Sequence, residues 1–149
     1  MGGINVGRWL AGGVVAAVVI WIAEGVASVL YMDDMKAALE RHDLSMEMSS
    51  GVMVLGAVLS LIYGLALVFF YALARARFGP GPKTALLIAV VFWLCTYAAS
   101  ILGYYMLGLY PESMLGLWLV IGLVETVVAT LLGAWIYREG ATAPRPAAA

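Results

Sequence analysis

Two glutamates, Glu24 and Glu125, sit inside runs of sequence that carry no other charge. A charged group near the centre of a bilayer costs roughly 3 kcal/mol on insertion scales, so such residues face a bundle interior or water and mark proton, ion or ligand sites. Desolvation also drives a carboxyl in oil toward its neutral form. In that form it can serve instead as glue, donating a hydrogen bond to Ser28, Thr96 or a tyrosine on a neighbouring helix. A pair of acids that is neutral only when its site is empty would release protons as a cation arrives.

The residues spaced around Glu24 favour a shared inward face. Trp21 lies three residues before it, Ser28 four after and Tyr31 seven after, which puts all of them on one side of a helix. Farther along, Trp93, Tyr97, Ser100 and Tyr104 repeat such a stripe, with Thr96 beside it. Together with Glu125 they define an expected ligand or proton site of Glu24, Glu125, Trp21, Ser28, Trp93, Thr96, Tyr97 and Ser100. The aromatic members also suit packing and anchoring at the membrane faces. Rows of small residues, Gly56, Ser60 and Gly64 in one segment and Gly122, Thr126, Ala129, Thr130 and Gly133 around Glu125, let helix backbones approach closely.

Other chemistry is sparse. One histidine, His42, and one cysteine, Cys95, exclude an imidazole cluster and a disulfide framework within the chain. His42 reads as a solvated loop residue and Cys95 as a small apolar packer. The pair Asp33-Asp34 stands near no third acid at the spacing an aspartate-rich metal site needs, because Ala37 occupies it. No nucleophile, phosphate-binding or dinucleotide motif occurs in a usable context, so neither a cofactor nor a metal is expected and an enzyme is disfavoured.

The elements that position these residues follow from composition. Of 149 residues, 64% are apolar or aromatic and 11% charged, with a mean hydropathy of +1.00; soluble domains carry about 25% charge. That balance excludes a cytosolic enzyme, a nucleic-acid binder and a disordered chain. Four apolar runs, residues 9–31, 52–74, 85–107 and 114–137, each reach about 35 Å as helices, enough to cross a hydrocarbon layer of roughly 30 Å. The first is too long for a signal-peptide core of about 7 to 15 residues and reads as a retained helix. The expected fold is all-α and integral to the membrane, an up-down bundle of four helices forming a single domain over residues 1–149.

Six basic residues, Arg8, Arg75, Arg77, Lys83, Arg138 and Arg145, fall on one side of these runs, against Lys36 and Arg41 on the other. The bias places both termini and the middle loop in the cytoplasm of a bacterial inner membrane. The turn 78–84 alternates glycine and proline, with Pro82 suited to begin the third helix, and Pro111 and Glu112 suit the start of the fourth. In the outer loop 32–51, Asp33 or Asp34 is expected to cap a short interfacial helix through about His42, with Met35, Ala38 and Leu39 beneath it. The Ala/Pro-rich cytoplasmic tail, 138–149, reads as disordered.

A shift of 72 residues aligns segment 17–30 with 89–102 at seven of fourteen positions, pairing Trp21 with Trp93 and Ser28 with Ser100. A duplication would be a parallel two-plus-two repeat. It would be asymmetric, since Glu24 then corresponds to Thr96. The general plan of four short helices with a first-helix glutamate, Glu24, preceded by Ala23, resembles the small multidrug-resistance transporters. In those proteins that glutamate exchanges protons for a cationic amphipath, and the resemblance implies the same role for Glu24. It covers topology and one residue; the long outer loop and Glu125 depart from that plan. The expected function is binding or transport of a small cationic or amphipathic ligand, with the bilayer as partner and self-association open. The alternative is a non-catalytic accessory or scaffold subunit of a larger membrane complex.

Overall fold

The computed structural model describes residues 4–137, all of whose regular structure is helical. The tail 138–149, with Arg138 and Arg145, lies outside the described residues. Helix α1 covers Val6–Glu40, α2 covers Ser50–Phe78 and α5 covers Glu112–Ile136. Between them, α3 (Pro82–Trp93) and α4 (Ala99–Leu107) are joined through a π turn, Leu94–Ala98, into one continuous span. Among the described residues, four helical segments are thus long and apolar enough to cross a membrane.

Local chemistry explains where the helices begin and end. Asn5 and Ser49 cap α1 and α2 by accepting from the amides of Arg8 and Val52, at 3.0 Å and 3.3 Å. Gly79 (φ 83°) and Gly108 (φ 63°) close α2 and α4 in backbone conformations that side chains disfavour. Pro82 opens α3 and Pro111 precedes α5, where their missing N–H groups have no intrahelical partner to lose.

The outer loop departs from its sequence reading. Residues 33–40 are not a separate interfacial helix capped by an aspartate; they continue α1, which runs 35 residues without a break. The physical reason is plain, because no glycine or proline occurs between Gly25 and Gly51 to stop the helix. The amphipathic pattern nevertheless holds. Met35, Ala38 and Leu39 are buried while Lys36 and Glu40 are exposed. Met35 and Leu39 pack with Met114 against Tyr31, Tyr110 and Trp118.

At the opposite end the helices touch through small residues. A methyl group added at Gly12 would meet the Gly133 carbonyl oxygen at 2.6 Å, and one added at Gly64 would collide with the backbone of Gly13 and Ala17. The backbones are therefore in direct contact, which is how membrane helices gain dispersion energy without a solvent-driven term. Trp9 donates to the Leu65 carbonyl at 2.8 Å, and Arg75 to the Tyr137 carbonyl at 3.1 Å. Ala16, Leu67, Val68, Ala85, Ala129 and Tyr137 complete this core.

Candidate functional site

Glu24 and Tyr31 are seven residues apart on α1 and so share a face. The Tyr31 hydroxyl donates to Glu24 Oε2 at 2.9 Å. Across from them, the Tyr97 hydroxyl donates to Glu125 Oε1 and lies 3.4 Å from Glu24 Oε1. One tyrosine therefore stands between the two carboxyls, which come from α1 and α5.

Two local features put Tyr97 there. It belongs to the π turn Leu94–Ala98, a rare element that recurs at functional sites. Its ring lies over Gly122, where an added methyl would sit 2.7 Å from Cγ and 2.9 Å from Cε1. Only a residue without a side chain lets the ring approach α5 closely enough to reach Glu125, one turn on.

Glu24 stands at the edge of open space. With Tyr97 it borders a chamber of about 330 Å³ whose walls include Thr96, Ser100, Tyr63 and Met35. The far wall is a cluster of four aromatic rings. Tyr31, Tyr104 and Tyr110 meet Trp118 edge to face, with centroids at 5.4, 6.2 and 4.9 Å. Burial, with Tyr104 beside it, holds the Tyr110 hydroxyl above the ordinary tyrosine pKa, so that hydroxyl stays neutral. Electron-rich ring faces close to a carboxylate form the arrangement that attracts an organic cation.

Glu125 is placed differently. It is only 3% exposed and borders neither this chamber nor the wider cavity beside it, and its Oε1 accepts from Tyr97, which borders both. Its Oε2 and the Trp118 indole N–H are buried without a hydrogen-bond partner among the described residues.

The other expected site residues divide. Thr96 and Ser100 border the chamber, and Trp21 and Ser28 border a second cavity, of about 690 Å³, that also reaches Glu24 and Tyr97. The Ser28 and Thr96 hydroxyls donate to carbonyls of their own helices, Gly25 and Phe92, so the carboxyls are met by tyrosines instead. Trp93 borders neither cavity; its indole donates to the Leu119 carbonyl at 3.0 Å and ties the third span to α5. The π turn that follows Trp93 and contains Tyr97 breaks the stripe that the sequence spacing implies.

No family model, curated protein or solved structure matches this chain. Among the described residues no three of His, Cys, Asp and Glu come together as metal ligands. Cys95 is exposed on the outer surface and not packed inside, and His42 is exposed.

The stripe around Glu24 and its counterpart in the third span do not include Trp118, the centre of the aromatic wall. A signal for it exists: it precedes Glu125 by seven residues, two turns along the same helical face.

Proposed function

We propose that this chain is a small polytopic protein of a bacterial inner membrane that binds a small organic cation at Glu24 and couples its binding to a proton. In this reading the four spans form an up-down bundle with both termini in the cytoplasm, arranged as a parallel two-plus-two repeat. The basic residues Arg8, Arg75, Arg77 and Lys83 gather toward one end and the acidic loop toward the other, which supports that orientation. One observation carries the functional reading: a single tyrosine hydroxyl links two carboxyls beside an aromatic-walled chamber.

A cation in the chamber is held by an ionised Glu24 and by ring faces, so its arrival expels any proton that Glu24 carries. The Tyr97 hydroxyl, hydrogen-bonded to Glu125, passes the change of charge to that second carboxyl. Loading the other way, a proton at Glu24 removes the charge and releases the cation. Passage across the membrane is the same cycle with the chamber opened to each side in turn.

Titration with tetramethylammonium at a series of pH values tests this. Affinity should weaken as pH falls, since protons compete for Glu24, and binding should acidify a weakly buffered solution. Glu24→Gln should cost tenfold or more in affinity, about 1.4 kcal/mol, and flatten the pH profile; Glu125→Gln should shift the profile with a smaller loss. Native behaviour in both variants would overturn the proposal.

The second reading, an accessory subunit of a larger complex, draws on the outward faces at Gly103 and Gly116, which have open space where a helix could press closely. A stoichiometric larger partner recovered in mild detergent would favour it.

A further inference from the structure

The second cavity beside Glu24 is a crevice of about 690 Å³ between α1 and α2, within the ~300–1,000 Å³ range of small-molecule sites. Trp21 and Val26 on α1 and Met53 on α2 border it and are 47%, 69% and 51% exposed, so its mouth opens sideways on the outer surface of the bundle. Those residues lie within the apolar runs of the two helices, Met53 at the outer end of its run and Trp21 farther in, so in the proposed topology the mouth faces lipid. The inner end of the crevice reaches Glu24 and Tyr97.

The glycines trace how it forms. At Gly13 and Gly64, α1 and α2 press together and an added methyl would collide with the facing helix. At Gly25 and Gly56, which border the crevice on the same two helices, an added methyl meets nothing within 4 Å. The helices thus part as they approach Glu24. Met46 and Met48 from the loop close the upper edge, and methionine adapts to apolar shapes that differ from one ligand to the next.

We propose that this crevice takes the hydrocarbon chain of an amphiphilic ammonium ligand, which slides in from the bilayer between α1 and α2 while its charged head reaches Glu24. The proposal rests on the cation-binding reading of Glu24 and adds the second half of the ligand and its route. Continuity decides the occupant: one open passage joins a lipid-facing mouth to a carboxylate, and a molecule with an apolar chain and a cationic head complements both ends.

The test uses the full chain in lipid nanodiscs, with free probe set by dialysis and uptake by empty nanodiscs subtracted. Tetramethylammonium reports the head alone; ethyl-, butyl-, hexyl- and octyltrimethylammonium add the chain. Each methylene should strengthen binding, by up to about fourfold, until the crevice is full. Gly25→Leu and Gly56→Leu put side chains into open space, and each should keep tetramethylammonium affinity within twofold while losing the dependence on chain length. If the native chain shows no such dependence, or either folded variant retains it in full, the crevice proposal fails and cation binding at Glu24 stands. If tetramethylammonium itself does not bind the native chain, the cation reading fails and this one with it. Cross-linking of Val26→Cys chains to each other would place a second copy in the mouth and also overturn it.

Discussion

The two ends of the α1–α2 pair are built from the same residue types and behave oppositely. Near Gly13 and Gly64, backbone meets backbone and no space is left; near Gly25 and Gly56, the same helices stand apart around a crevice that leads to Glu24. Glycine on a membrane helix therefore has two separate uses, close approach and vacancy, and only the facing residue decides between them. Stability should reside in the closed half and function in the open one.

Four measurements can break or sharpen that contrast. The largest effect is expected for Gly64→Ala, whose methyl would run into the backbone of Gly13 and Ala17. Because backbone cannot rotate aside, unfolding in detergent mixtures should show a loss of roughly 3 kcal/mol; an unaffected protein would mean the halves do not differ. Arg75→Gln, also in the closed half, removes a charged donor from the Tyr137 carbonyl and should lower stability by about 2 kcal/mol without changing tetramethylammonium binding. Tyr97→Phe removes the hydroxyl between the carboxyls; about 1 kcal/mol of stability should go, and adding Glu125→Gln to it should no longer shift the pH profile of cation binding. The smallest change belongs to Gly25→Ala and Gly56→Ala, which should leave the unfolding free energy within about 0.5 kcal/mol of native. A loss as large as that of Gly64→Ala would show the crevice to be closed in the membrane.

Much of this arrangement is written in local pattern. Apolar run length specifies the four spans, and Pro82 and Pro111 stand at helix starts because their chemistry admits little else. Glu24 and Tyr31 share a face because seven residues make two turns. Three features were beyond such reading. Asp33-Asp34 looks like a helix cap, yet the chain around it holds no breaker, so the helix passes through it. The π turn at Leu94–Ala98 has no glycine, proline or charge to announce it, and it moves Trp93 off the stripe that includes Tyr97. The same turn has no counterpart in α1, so segments 22–26 and 94–98, aligned by the internal match, differ in helical geometry. The burial of Glu125 behind Tyr97 depends on Gly122, and a small residue alone does not say which ring will cover it.

The unbroken length of α1 has a mechanical side. A helix of 35 residues measures about 52 Å, some 20 Å more than the oily layer it crosses. Its acidic tip, with Asp33, Asp34 and Glu40, and the glutamate deep within it therefore belong to one stiff rod with no joint between them. A displacement of the tip is therefore carried along the helix toward Glu24, with no loop between them to absorb it.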